Sequence, residues 1–284
     1  MTRGPFALFC HARVRGPVME AKGDDVPPPG GTAFRRKGPA MFHRSHTPRP
    51  TVVLVHGAFA DSTSWNDVAR ELRREGHPVV AAANPLRGLS GDAAYVREVL
   101  AGIEGPVVLV GHSYGGAVVS AAAVGADNVR ALVYVAAFVP DKGESALDLA
   151  ARFPGSSLGD ALHPVPVTLP DGSPGVEFTI DQAKFPHQFA ADVPEGVAQL
   201  MAVTQRPVTG AALEEPAPEP GWRTLPSWAV VATEDLNIPA AAQRHMAERA
   251  GARVREVRAS HAVSVSHPQE VTSVVLAAAA SVTR

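Results

Sequence analysis

Cysteine is all but missing from this chain: Cys10 is the only one in 284 residues. A single thiol excludes an internal disulfide framework and leaves the redox compartment open. No run of about 18 apolar residues occurs, so no membrane span is expected. The apolar stretch 6–10 behind Arg3 is too short for a signal-peptide core. Excess charge of either sign is missing too. The 26 basic and 28 acidic residues leave a formal net charge of −2, which gives no electrostatic case for a nucleic-acid partner. No His, Cys, Asp and Glu cluster has metal-ligand spacing, and neither G-x-G-x-x-G nor a P-loop is present, so no cofactor is expected. The expectation is a soluble cytoplasmic protein, monomer or homodimer. Its 45% of apolar residues suffices for a sizeable core.

What is present is unevenly distributed. Residues 1–49 hold Pro27-Pro28-Pro29-Gly30-Gly31 and the basic trio Arg35-Arg36-Lys37 without any sustained period, and read as a disordered N-terminal extension, with Met41 a candidate start. From Thr51–Val55 an apolar, β-branched run has the composition of a parallel strand covered on both faces. Trp65, Val68, Ala69 and Leu72 follow at helical spacing, with Gly76 as the stop. Strands are then expected at 78–83, 107–110 and 131–135, with helices at 92–103 and 114–125. The alternation lapses at Asp141 and resumes with strands Ser227–Ala232 and Arg253–Val257 and helices 239–250 and 268–281. Strand–helix alternation with short links implies an α/β fold with a doubly wound, mostly parallel sheet. Residues 50–140 and 227–284 form its core, and 141–226 reads as an inserted helical lid, since so long a structureless stretch is improbable in a compact domain.

The most informative feature is Val107-Val108-Leu109-Val110-Gly111-His112-Ser113-Tyr114-Gly115. It places G-x-S-x-G between a strand and a helix, the pattern of a nucleophile elbow. A turn tight enough to present the Ser113 hydroxyl forces strained backbone angles. Side chains at Gly111 and Gly115 would collide with neighbouring elements.

A serine hydroxyl needs a histidine to take its proton and a carboxylate to orient that histidine. In an open α/β sheet these groups converge from loops at the C-terminal ends of strands. His261, just after the last strand, is the favoured base, with His267 its rival. Asp235, at the end of Val230-Val231-Ala232-Thr233-Glu234-Asp235, is the favoured carboxylate, ahead of Glu234 and Asp141. The order Ser113, Asp235, His261 is the one this fold requires. The oxyanion hole is expected from the backbone N–H groups of Tyr114 and of Ala58 in the His56-Gly57-Ala58-Phe59 loop, with Phe59 second to Ala58. His56 is read as shaping that loop. The aromatics Phe59, Phe153, Phe185, Phe189 and Trp222 are candidates for an apolar substrate pocket.

With these residues in order, the chain resembles the α/β-hydrolase superfamily from about Thr51 onward. The phrases His56-Gly57-Ala58-Phe59, Phe185…Phe189-Ala190-Ala191-Asp192 and Ser260-His261-Ala262-Val263-Ser264-Val265-Ser266-His267-Pro268 resemble a small bacterial esterase-like branch related to plant methyl esterases and hydroxynitrile lyases. The resemblance implies a sheet order of 2-1-3-4-5-6 for the strands above, with an antiparallel edge ahead of them. It also implies a cofactor-independent serine esterase acting on a small-molecule ester. The plant lyases carry a lysine after the catalytic histidine. Ala262 stands there in this chain, which disfavours a lyase; a cofactor-free enzyme using the histidine as base, or a non-catalytic receptor, are the remaining alternatives.

Overall fold

The computed structural model describes residues 49–169 and 172–282. Most of the expected N-terminal extension, Met41 and the antiparallel edge ahead of the first strand lie outside the described residues. Strands β1 (Thr51–Val55), β2 (Val79–Ala82), β3 (Val107–His112) and β4 (Val129–Val135) alternate with helices α1 (Asn66–Arg74), α2 (Leu89–Ala101) and α3 (Tyr114–Ala122). The sheet is completed by β8 (Ser227–Ala232) and β9 (Arg253–Val257). These follow the stretch that holds α4 (Ala146–Arg152), α5 (Leu158–Ala161), β5 (Leu162–Thr168), β6 (Pro174–Ile180), α6 (Phe185–Phe189), α7 (Glu195–Thr204), β7 (Val208–Thr209) and α8 (Gly210–Glu214). Helices α9 (Ala240–Arg249), α10 (Val263–Ser266) and α11 (Pro268–Val282) close the chain. No helix among the described residues is long and apolar enough to cross a membrane.

The six-stranded sheet runs β2-β1-β3-β4-β8-β9 with every neighbouring pair parallel. That is the 2-1-3-4-5-6 order implied by the resemblance. Side-chain alternation divides the apolar strands between two cores. Val52 and Leu54 of β1 join Trp65, Val68 and Leu72 beside α1 and Val271, Val274 and Val275 of α11 on one face. Val53 and Val55 face the opposite way, with Val96 of α2 and Val118 of α3. Each such fully buried aliphatic side chain stabilises the fold by about 1.5–3 kcal/mol. Because both faces are covered, β1 and β3 are buried throughout and apolar except for Thr51 at the start of β1 and His112 at the end of β3.

The stretch between β4 and β8 differs from the helical insertion expected. Besides short helices it contains a three-stranded antiparallel sheet, β5-β6-β7. The sequence masks β5 because it reads Leu-His-Pro-Val-Pro-Val-Thr. Pro164 and Pro166 lie two residues apart, so both missing N–H groups face the same side. As an edge strand paired only with β6, β5 can turn that side away from its neighbour. The stretch is tied to the sheet's helices through Glu144, which accepts from Arg152 and Arg249 at 2.7–3.0 Å. Burial pushes the Glu144 carboxyl upward, but the guanidinium of Arg249, a backbone N–H and Arg152 outweigh it and hold it at about 2.

Candidate active site

Ser113 sits between the last residue of β3 and the first of α3 at φ 54° and ψ −127°. A non-glycine residue in that region costs about 1–3 kcal/mol and persists only when its surroundings hold it. Here its N–H donates to Val135 (3.2 Å), and its carbonyl accepts from Gly116 (2.9 Å) and Phe138 (3.1 Å). The steric reasoning about the flanking glycines has a concrete basis. A Cβ on Gly111 would lie 2.5 Å from the Gly115 carbonyl oxygen, and one on Gly115 2.6 Å from that of Val55. Two further glycines carry the same constraint: a Cβ on Gly116 would meet the Phe138 carbonyl oxygen at 2.3 Å, and one on Gly57 the Ser113 Cβ at 2.5 Å.

His261 follows β9 and is buried, with its Nδ1 2.7 Å from Asp235 Oδ2. A carboxylate only accepts, so Nδ1 carries the proton and Nε2 presents its lone pair. Asp235 is fully engaged. Its Oδ1 accepts the backbone N–H groups of Asn237 (2.7 Å) and Ile238 (3.0 Å), and its Oδ2 accepts Gln243 Nε2 at 2.8 Å besides the imidazole. The rivals lie elsewhere. Glu234 is paired with Arg258 at the surface, Asp141 with Arg223, and His267 lies against Ser266 and Asp192.

Three residues support the pair in roles the sequence did not indicate; one of them, Phe189, was expected in the pocket instead. Gln243 accepts the Ala232 N–H and donates to both Asp235 and the Ile238 carbonyl, which locks the carboxylate to β8 and α9. His112, fully buried, donates from Nε2 to the His261 carbonyl at 2.9 Å, with ring centroids 4.7 Å apart. Burial, then the neighbouring His261, hold His112 well below the ordinary imidazole range and therefore neutral. Phe189 accepts the Ala262 N–H (3.0 Å) through its carbonyl, while its ring meets the His261 ring edge-on at 4.8 Å. His112 stands inside the elbow and Phe189 within a phrase of the resemblance, whereas Gln243 carried no signal. The other contacts depend on where tertiary packing brings α6 and α9.

Both Ser113 and His261 line a cavity of about 170 Å³. Its wall is otherwise mostly apolar: Phe138, Ala146, Leu147, Ala150, Leu158, Leu162, Leu213 and Ile238. Among the described residues no hydrogen bond joins the serine hydroxyl to the imidazole, whose Nδ1 is held by Asp235. Ala58, Phe59 and Tyr114 also line this cavity. The Phe59 N–H is engaged by the Arg206 carbonyl (3.2 Å), whereas those of Ala58 and Tyr114 take no partner among the described residues. His56 bonds the Gly57 carbonyl through Nδ1 at 2.9 Å, as expected of a loop-shaping residue, and burial lowers its pKa. The Tyr114 hydroxyl donates to buried Asp92 (2.9 Å), whose carboxyl burial pushes up.

Of the aromatic pocket candidates, the cavity wall contains Phe59 but not Phe153, Phe185, Phe189 or Trp222. Phe153 lies against His245, and Phe185 stacks on Phe189 behind the imidazole. Trp222 donates to the Pro140 carbonyl with Arg223 and Arg249 over its ring. These rings pack where their segment meets α9 and the residues around His261, which leaves them out of the small opening. A wider groove of about 430 Å³ beside α1 and α7 shares only Phe59 with the smaller cavity. Size does not decide between them: the serine and the imidazole open into the smaller one. Among the described residues no group of three or more His, Cys, Asp or Glu could hold a metal ion.

Comparison with known proteins agrees with this architecture. A carbendazim-hydrolyzing esterase from Nocardioides sp. (strain SG-4G) is 41% identical over 113 residues, 35% of this chain and 47% of that enzyme, so the match spans about half of the relative. In fold, the chain is similar to polyneuridine aldehyde esterase (TM-score 0.71, 20% identity, 81% of this chain and 98% of that one). It is likewise similar to a pyrethroid hydrolase from Sphingobium faniae JZ-2 (TM-score 0.66, 23% identity, 81% and 97%). A family model described as the alpha/beta hydrolase family matches residues 52–274, and the chain belongs to that family.

Proposed function

We propose that this protein is a cofactor-independent serine hydrolase that cleaves a small carboxylic ester through an acyl-enzyme. One observation carries the reading: Ser113, held at positive φ, shares a single apolar cavity with His261, itself bonded to Asp235, and with Ala58 and Tyr114, whose backbone N–H groups are unspent among the described residues. The Ser113 Oγ attacks the ester carbonyl carbon while His261 Nε2 takes its proton. The developing oxyanion accepts hydrogen bonds from Ala58 and Tyr114, each such donor typically contributing about 10²–10³ in rate. Collapse breaks the bond to the alcohol oxygen, which leaves with the proton from Nε2. Water then attacks the acyl-enzyme, giving its proton to the same nitrogen, and Ser113 recovers that proton as the acid departs. Asp235 holds the tautomer and balances the charge on the imidazolium.

A cavity of about 170 Å³ lies below the roughly 300–1,000 Å³ usual for drug-sized ligands and suits a short acyl group. Residues 141–226 act in this reading as the lid that supplies most of the aliphatic wall. The decisive experiment pairs fluorophosphonate labelling with turnover of a panel of p-nitrophenyl esters. We expect the label on Ser113 and a loss of at least about 10³ in kcat for Ser113→Ala. Unchanged activity in that variant, with no labelling of Ser113, would overturn the acyl-enzyme and leave His261 acting as a base without it.

A further inference from the structure

We propose that Asn237 is a specificity-determining residue, and that the acyl chain of the substrate carries a hydrogen-bond acceptor, an ether, carbonyl or hydroxyl oxygen, for its side-chain amide. The proposal rests on the hydrolase reading, since the acyl group is the part that stays on Ser113 while the alcohol departs.

Asn237 is 3% exposed and belongs to the cavity wall. The orientation of its amide is fixed by a chain of partners. The Leu236 carbonyl can only accept, so the Gln188 atom facing it is Nε2, and Ser157 Oγ donates to Oε1 on the other side (2.8 Å). Gln188 Nε2 in turn donates to the Leu236 carbonyl (3.0 Å) and to Asn237 Oδ1 (2.8 Å). Asn237 must therefore present its oxygen to Gln188, and its Nδ2, a buried donor, has no partner among the described residues. An unmade hydrogen bond at a buried amide is costly, and native structures contain few. The other side-chain donors of the wall are accounted for. The Tyr114 hydroxyl donates to Asp92, that of Ser156 to the Leu236 carbonyl, and Ser113 and His261 are committed to chemistry. Among the polar residues that line an otherwise apolar wall, Asn237 is thus the one whose side chain keeps a donor without a partner among the described residues. A site built to bond one polar atom discriminates against the analogue lacking it far better than an apolar wall discriminates by size.

The test uses p-nitrophenyl hexanoate and analogues in which an ether oxygen replaces one methylene along the acyl chain. Each kcat/KM is referred to the hydroxide-catalysed rate of the same ester, which removes intrinsic reactivity. We expect one position to be favoured roughly 10- to 100-fold over the all-carbon chain. The preference should vanish in Asn237→Leu. It should invert in Asn237→Asp, which keeps an acceptor for Gln188 but has no donor. A flat profile in the unaltered protein overturns the proposal whatever the variants do, and leaves the hydrolase reading standing if Ser113 is labelled. Calorimetric binding of the matched neutral amides separates the two ideas from the other side. If esters are not turned over, the same preference among the amides supports the role of Asn237, and its absence refutes it.

Discussion

The floor of the cavity and its walls are built by different means. Beneath Ser113 the main chain meets itself: Gly57, Gly111, Gly115 and Gly116 lie where an added methyl would fall 2.3–2.6 Å from its nearest neighbour. In the stretch between β4 and β8, Gly159 and Gly196 have nothing within 4 Å of a Cβ position. The floor fixes atoms by close backbone contact, which permits no substitution. The walls fix a space by side chains from short elements, where many residues serve. Position is therefore specified more stringently than volume in this molecule.

The comparison is open to attack, most strongly through the carboxylate. Asp235→Asn keeps an acceptor for the Asn237 and Ile238 N–H groups but loses the charge that orients His261. We expect kcat to fall by about 10⁴ in ester turnover with the fold retained. Behind the wall, Ser157→Ala removes the bond to Gln188 and should cost less than about ten-fold. Comparable losses would show that the walls are as exacting as the floor. A second contrast is between glycines. Gly116→Ala drives a methyl against a backbone carbonyl and should destabilise by roughly 3 kcal/mol in urea unfolding, at the upper end of overpacking costs. Gly196→Ala, within α7, should stabilise by about 0.5 kcal/mol through helix propensity.

A further effect concerns pH. His112 and His56 both have folded pKa values below the ordinary imidazole value because they are buried. Below about pH 6.5 the unfolded chain takes up protons that the folded chain refuses. Stability contributed by these groups is therefore complete above that pH and declines as pH falls, by up to about 1 kcal/mol per pH unit for each. Denaturation curves at pH 7.5 and 5.5 should show this decline, with a shallower one for His112→Gln. An equal slope in that variant would place the acid sensitivity elsewhere.

The core was legible because its physics is local. Buried parallel strands must be apolar throughout, helices must show their period, and the elbow needs its glycines, so Ser113, Asp235 and His261 could be ordered along the chain before their geometry was known. The segment from 141 to 226 was legible only as an interruption. The prolines of β5 erase the alternation by which strands are recognised, and its two-residue partner β7 is too short to carry a pattern. Aromatic content was a poor guide to the cavity, because Phe185 and Phe189 serve as backing for His261 rather than as its wall. Gln243 and Gln188 gave no sign in sequence, since an amide earns its role from partners many residues away.

The two inferred oxyanion donors, at Ala58 and Tyr114, are main-chain groups. Changing either side chain leaves the N–H in place, so mutational drift can reshape the surroundings without erasing the charge-stabilising dipoles. Under the proposed hydrolase reading, diversification for new acyl groups has a natural territory, the helices α4, α5 and α8, whose sequences can be shuffled while the backbone beneath Ser113 is inherited intact.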